Sequence, residues 1–389
     1  MSIFDEENNR RNSNSYKWDV KNTELPMWVA DMDFKTAPAV VQALRERVDH
    51  EIFGYNTVPN EFNEAIQKWW KKRHDCSIEK DWIMFCTGIV PAISSIVRKM
   101  TRVGDNVVVL SPVYNIFYNS IVNNYRTILP SFLKYQAGEY EIDFLDLEEK
   151  LANENTSMMI FCNPHNPIGK IWDKETLVKI DQLCVKYDVI LLSDEIHCDI
   201  VAPGKKYTPF ISISDSVSSN LITCLSPTKA FNLAGIQTSA IVIPNEKIRK
   251  LVNRGINTDE VAEPNSFAVQ AAIAAFENGA DWLEELNEYL FENRKVIESF
   301  FEEKLPMIKV IKGEATYLAW LDCSKITKNT STLCQFIQSK TGLIVSSGEI
   351  FGINGKSFIR MNFATSRSRV MDGLDRMEKG INSFILEEQ

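Results

Sequence analysis

The sequence predicts an α/β fold: a three-layer sandwich on a mainly parallel sheet, followed by a smaller α+β domain. Three observations carry that expectation. Short, wholly apolar runs alternate with amphipathic stretches through the middle of the chain, as in a parallel sheet covered by helices on both faces. Near Asp281 the alternation stops, and a long helical stretch precedes a new group of strands. At 389 residues the chain is long enough to form two domains. The expected division is an N-terminal segment over 1–45 that joins the small domain, a large domain over 46–280, and a small domain over 281–389.

The runs read as strands are WIMFC (82–86), NVVVL (106–110), SMMIF (157–161), VILLS (189–193), NLITCL (220–225) and TSAIVI (238–243). They are apolar nearly throughout, which marks strands buried on both faces. Between the third and fourth, DKETLVKIDQLCVKY (173–187) repeats apolar residues at helical spacing, with Asp173 as the expected N-cap. Beyond the long helix Asp281–Lys304, strands are expected at YLAWLD (317–322), GLIVS (342–346) and SFIRMNF (357–363), then a terminal helix.

Composition excludes several classes of function. A net charge of −9 leaves no basic excess to neutralise phosphates, so no nucleic-acid partner is expected. No apolar run approaches the roughly 20 residues of a membrane span. The N-terminal MSIFDEENNRRNSNSYKW is polar and has no signal-peptide core. Eight cysteines lie scattered without a CxxC pair, several inside apolar runs. They read as small core residues of a cytoplasmic protein. His197 and Cys198 are adjacent, but no second metal-spaced pair accompanies them, and no metal is expected.

In an open α/β sheet, ligands bind outside the carboxyl ends of the strands. WIMFC is followed by TGIVPAI, where Gly88 turns the chain and Pro91 suits a first helical turn. Free N–H groups at such a start form an anion site, although this piece alone reads first as a plain turn. NVVVL leads to Tyr114, an aromatic that packs in the core or stacks on a flat ligand. SMMIF leads to CNPHNPIGKIW, whose two Asn-Pro pairs, at Asn163 and Asn166, suggest an amide aimed at something. VILLS leads to Asp194 and Glu195, carboxylates that need a cationic partner so close to a buried strand. NLITCL leads to Ser226, Thr228 and Lys229, hydroxyls and an amine whose plain alternative is a helix cap.

An anion-binding helix start, an aromatic, an amide, a buried carboxylate and an amine together describe pyridoxal 5′-phosphate. The amine forms a Schiff base with its aldehyde, and the carboxylate keeps the pyridine nitrogen protonated. The aromatic stacks on the ring, while helix amides and hydroxyls hold the phosphate.

The ordered pieces TG (87–88), PVY (112–114), NPHNPIG (163–169), SDEIHCD (193–199) and SPTKAFNLAG (226–235) resemble those of fold-type I pyridoxal-phosphate enzymes of the aminotransferase class I/II superfamily. The resemblance spans nearly the whole chain. PMWVADMDF (26–34), DEIH and SPTKAFNLAGIQ are similar, more narrowly, to the MalY/PatB-type cystathionine β-lyases, or C–S lyases. The resemblance implies that Lys229 is the Schiff-base lysine and proton-transfer base, and that Asp194 pairs with the pyridinium nitrogen. It implies that Asn166 bonds the 3′-oxygen, Tyr114 stacks on the ring, and Gly88, Ile89, Ser226 and Thr228 hold the phosphate. Tyr55 would reach the phosphate of the neighbouring subunit in a homodimer with shared sites. Arg360 would clamp the carboxylate of an amino-acid substrate.

Two residues depart from the wider family. Gln237 stands eight residues after the lysine where many aminotransferases have an arginine, and His197 replaces a common tyrosine. The lyase subgroup accommodates both. His197 reads either as support for the ring or as a satisfied buried histidine. The expected activity is β-elimination from cystathionine or related cysteine S-conjugates. The alternatives are an aminotransferase and a regulatory binder on the same fold, the last disfavoured by an intact Lys229 and Asp194.

Overall fold

The computed structural model describes residues 2–213 and 219–387. Seven strands make the large sheet: β1 (Ile83–Cys86), β2 (Asn106–Ser111), β3 (Thr127–Phe132), β4 (Thr156–Cys162), β5 (Ile190–Asp194), β6 (Leu221–Leu225) and β7 (Ser239–Val242). Their spatial order is β1-β7-β6-β5-β4-β2-β3. From β6 to β3 every pairing is parallel, while β7 runs against both of its neighbours. The fold class is the expected one.

Both faces of this sheet are covered. Val108, Leu110, Met159, Phe161 and Leu191 enter one core cluster, while Val107, Val109, Met158, Ile160 and Leu192 enter another. That is the two-residue period of a strand buried on both sides. The six expected strands form within one residue of their expected ends. The sequence reading missed β3. TILPSF is an edge strand paired only to β2 and half-exposed, and Pro130 is tolerated there because an edge leaves N–H groups unpaired. The helix expected after Asp173 forms at Lys174–Lys186, with the Asp173 carboxylate accepting from the Thr176 N–H.

After the helix Ala280–Lys304 comes an antiparallel sheet of β8 (Lys309–Val310), β9 (Leu318–Asp322), β10 (Ser346–Ser347) and β11 (Phe358–Asn362), ordered β8-β9-β11-β10. The run expected as one strand at 342–346 is divided. Leu343–Ile344 pairs in parallel with Leu25–Pro26, whereas β10 pairs with β11. The N-terminal segment supplies the partner that the local pattern could not show.

That segment is fixed to the C-terminal part of the chain by main-chain and ionic contacts. The Met27 N–H donates to the Ile344 carbonyl at 2.8 Å, and the Asn362 N–H to the Met27 carbonyl at 2.8 Å. Buried Asp33 accepts from Trp18 Nε1 at 2.7 Å, and from the Lys17 ammonium and the Arg10 guanidinium at 3.0 Å each. Burial pushes the Asp33 carboxyl up, but Lys17 and the Trp18 and Lys17 hydrogen bonds outweigh it and leave the pKa below its usual value.

Asp33→Asn should therefore cost about 3 kcal/mol, toward the low end for breaking a buried ion pair, since Asp31 lies 3.5 Å from the Lys17 ammonium. A carboxyl with a depressed folded pKa stabilises above its unfolded value, and that stability is lost as pH falls through the folded value. Thermal melts should show the gap between the two proteins fully open at neutral pH and closing below about pH 4. A gap independent of pH would remove Asp33's charge from the account.

Candidate active site

Strands β1 to β6 all end at one edge of the large sheet. A cavity of about 260 Å³ lies there, lined by Gly88 and Ile89 after β1, Tyr114 after β2, and Asn166 after β4. Asp194 at the end of β5, His197 beyond it, Thr228 and Lys229 after β6, Gln237 ahead of β7, and Ala30 of the N-terminal segment also line it. The volume is slightly below the roughly 300–1,000 Å³ typical of pockets for drug-sized ligands.

Lys229 Nζ donates to the Ala30 carbonyl at 2.6 Å. Burial, then the positive charge of Arg360, depress its pKa to about 8, against opposing pulls from Asp31 and Asp194. Asp194 is buried, and burial raises its pKa to about 7, opposed by the Ile196 N–H at 3.1 Å and by Lys229. Two strand ends thus present an amine that readily loses its proton and a carboxyl that readily keeps one. Opposed shifts of this kind in one cleft mark a site of proton chemistry.

Arg360, on β11, is buried at 5% exposure beside this cavity and is not in its wall. It donates through Nη1 to Asn166 Oδ1 at 3.2 Å and through Nη2 to the Trp28 carbonyl at 2.8 Å. Its Nε is buried without a partner. Burial lowers its pKa to about 10, opposed by Tyr114 and Tyr317. With Asn166 Oδ1 accepting from Arg360, the Asn166 amide nitrogen is left as the donor. Tyr114 caps the helix Asn115–Val122 and presents a half-buried ring, and burial raises its phenol pKa.

The helix Ile89–Met100 begins directly after Gly88, so its free N–H groups face the cavity beside the Thr228 hydroxyl. Ser226 is turned elsewhere: its hydroxyl donates to the Thr238 carbonyl at 2.8 Å, and it accepts from the Thr228 N–H at 3.1 Å. His197 is buried, and its Nδ1 has no partner among the described residues. Burial, Lys229 and Arg360 lower its pKa to about 3 and keep it neutral. It is therefore not a satisfied core histidine. Tyr55 is fully exposed, in a stretch without regular structure, and lies outside the cavity wall.

Two expectations need correcting. The Asn163 amide is spent internally, donating to the Thr208 carbonyl and accepting from the Trp172 N–H, so only Asn166 faces the cavity. Among the described residues Glu195 has no cationic partner; it is held by the Tyr207 and Ser193 hydroxyls and the Phe210 N–H. The sequence reading missed the Ala30 carbonyl and Tyr317, whose hydroxyl donates to it at 3.1 Å. No local pattern flagged a main-chain oxygen, and PMWVADMDF stood out only through the family resemblance.

His74, Cys198 and Asp199 place potential metal ligands within 4.8 Å of one another. Asp199, however, is already ion-paired with Arg73 Nε at 2.9 Å, bonded to His74 Nε2 at 3.0 Å, and shares the Trp69 Nε1–H between its two oxygens. A guanidinium occupies the position a cation would take. The cavity set does fit pyridoxal 5′-phosphate: an amine, a carboxyl, a free amide, an orphaned buried imidazole nitrogen and a helix start all face one space.

Borohydride trapping of pyridoxal 5′-phosphate should modify Lys229, with labelling rising through about pH 8 rather than the 10.5 of an ordinary lysine. Peptide mass spectrometry checks this, and Lys229→Ala should abolish it. Labelling that persists in that variant would place the reactive amine elsewhere.

Residues 25–376 match the family model for aminotransferase class I and II. The chain is 40% identical over 386 residues to cystathionine beta-lyase PatB of Bacillus subtilis, covering 97% of this chain and all of the relative. It is 30% identical to protein MalY of Escherichia coli, with 93% and 90% covered. Among solved structures, the pyridoxal-phosphate-containing cystalysin of Treponema denticola superposes with a TM-score of 0.95 at 33% identity, covering 98% and 99%. The pyridoxal-phosphate-bound C–S lyase of Staphylococcus hominis gives 0.91 at 36%, covering 97% and 98%. With the family model spanning most of its length, the chain belongs to the aminotransferase class I and II family.

Proposed function

We propose that this protein is a pyridoxal-phosphate-dependent carbon–sulfur lyase acting on cystathionine or related cysteine S-conjugates. Its products are a thiol, pyruvate and ammonia. The observation that carries the reading is that the Lys229 amine and the Asp194 carboxyl line one cavity, beyond the ends of adjacent strands. The similarity to PatB, MalY and the C–S lyase structures supports the choice of elimination.

Pyridoxal phosphate, when bound, supplies an aldehyde for the substrate amino group and a ring that stabilises negative charge at Cα. The chain's residues do the rest. Lys229 holds the cofactor covalently and, once free, removes the Cα proton as an amine with a lowered pKa. Asp194 carries the ion pair that keeps the ring nitrogen protonated. Asn166 and the neutral His197 would offer hydrogen bonds to the cofactor's polar groups, and Tyr114 would pack against its ring. The helix start at Gly88 and Ile89, with the Thr228 hydroxyl, would hold the phosphate, and Ser226 supports Thr228 from behind through its own contacts. Arg360 receives the substrate carboxylate through its unpartnered edge.

The same reading places the protein in the cytoplasm, in keeping with eight buried, free cysteines. It divides the chain near residues 45 and 280 and makes it a homodimer. Tyr55, at 102% exposure, follows exposed Ile52 and Phe53; Phe53 packs against Phe267 and Arg47, while the Tyr55 ring projects into solvent. A two-fold partner would take Tyr55 to its phosphate and return the same contact.

Incubation with L-cystathionine should release pyruvate and ammonia without any 2-oxo acid. Dependence on an added 2-oxo acid would make the protein an aminotransferase, and no product under either condition would leave a binder. For assembly, Tyr55→Ala and Lys229→Ala chains, each inactive alone, should regain about one quarter of wild-type activity when subunits exchange in an equal mixture. A hybrid dimer has one intact site. No recovery despite demonstrated exchange would confine Tyr55 to its own subunit.

A further inference from the structure

The Ala30 carbonyl receives two side-chain donors at once, the Lys229 amine at 2.6 Å and the Tyr317 hydroxyl at 3.1 Å. Ala30 lines the cavity, while Tyr317 has no exposed surface. We propose that Tyr317 is a positioning residue for the reaction: its hydroxyl holds the Ala30 carbonyl as the dock to which the free Lys229 amine returns in each turnover. The inference rests on Lys229 being the amine that holds pyridoxal phosphate.

Counting donors and acceptors carries it. A carbonyl oxygen has two lone pairs, and here both are used. When Nζ is bonded to the cofactor's aldehyde carbon it cannot also serve Ala30 as a free amine does, so that bond is lost. A buried acceptor left without a donor is the costly case in hydrogen-bond energetics. Tyr317 removes that cost without any movement of the segment. Direction matters equally. A neutral amine that donates one N–H to Ala30 must turn its lone pair away from that oxygen. Fixing the oxygen therefore fixes where the lone pair of the base can point.

Tyr317 is built to act as a donor and nothing else. Burial, then Asp31, raise its pKa, with Arg360 opposing and Tyr114 adding to the rise, so the phenol stays protonated. Its ring stands edge-on to His197 with centroids 6.1 Å apart. Its carbonyl accepts from the Phe363 N–H at 3.0 Å, which ties the residue to the chain just beyond β11 and Arg360. A side chain that only filled space would need the ring and would not need the hydroxyl.

The test is Tyr317→Phe in the holoenzyme with L-alanine, which has no β-substituent to expel. Exchange of its α-hydrogen in D₂O, followed by NMR, reads proton handling by Lys229 whether or not the enzyme is a lyase. The variant should keep its visible cofactor band and melt within about 4 °C of wild type. Exchange should slow about ten-fold while alanine affinity, read from the band, changes less than about two-fold; misplacing a group by an ångström costs up to roughly a hundred-fold. Unchanged exchange would overturn the proposal. Loss of the band, or affinity falling in step with exchange, would also overturn it by making Tyr317 a folding or binding residue. A wild-type protein with neither band nor exchange would instead remove the reading of Lys229 on which the proposal stands.

Discussion

Five consecutive main-chain carbonyls, from Trp28 to Met32, each accept a hydrogen bond from a side chain, and the site is assembled on them. Trp28 takes Arg360, Val29 takes Asn362, and Ala30 takes Lys229 and Tyr317. Asp31 takes Asn362 again, while Met32 takes Arg10 and Asn232. The strip has no regular secondary structure, so these carbonyls have no ladder partner of their own. Buried polar groups must be paired. Here the need is met in part by Lys229 and Arg360, and otherwise by Asn362, Arg10, Asn232 and Tyr317. The amine and the guanidinium are thereby set two residues apart along a single piece of backbone.

This arrangement would fail if the strip could move, and ionic contacts hold it at its far end. Asp33 draws Lys17, Trp18 and Arg10 onto the segment that follows the strip, and Arg369 of the terminal helix approaches the same carboxylate at 3.9 Å. A buried carboxylate with these partners adds less net stability than its contacts suggest, because desolvation offsets attraction. Its contribution lies in register. One alignment of the segment pairs Leu25 with Leu343 and brings Ala30 to Lys229. A slip of one residue along the parallel pairing would turn the strip's side chains to the opposite face.

The large sheet was legible in the sequence because its strands are buried on both faces and therefore apolar without alternation. The residues just beyond them were legible because parallel strands place their carboxyl ends together; Lys229, Asp194, Asn166, Tyr114 and Thr228 indeed line one cavity. Three kinds of feature were not legible. An edge strand such as β3 carries Pro130 and half-exposed residues, so its composition does not separate it from a loop. The parallel pairing of Leu25 with Leu343 joins residues more than 300 positions apart, and no local period encodes it. Glu195 and Asn163 looked like site residues because a polar group after a buried strand always needs a partner. Whether that partner is a ligand or Tyr207 and Thr208 depends on a loop that returns from elsewhere.

The electrostatics follow from the same geometry. Burial and the charge of Arg360 lower the Lys229 pKa, and the buried His197 imidazole, disfavoured as a cation by burial and by both groups, stays neutral. Asp194 is buried with its nearest cationic influence in Lys229, so burial dominates and the carboxyl titrates near neutrality. The cavity is thus left short of negative charge around Arg360 and of positive charge around Asp194. A dianionic phosphate at a helix start, a carboxylate at Arg360 and a protonated ring nitrogen at Asp194 would correct each imbalance where it occurs. With an amino-acid carboxylate beside it, Arg360 would lower the Lys229 pKa less than it does in the free protein. The base would then hold a proton more readily after removing it from Cα than before substrate arrived. On the proposed reading, the charge that would recognise the substrate also tunes the amine that would take its Cα proton, because the two are held two residues apart on the same strip.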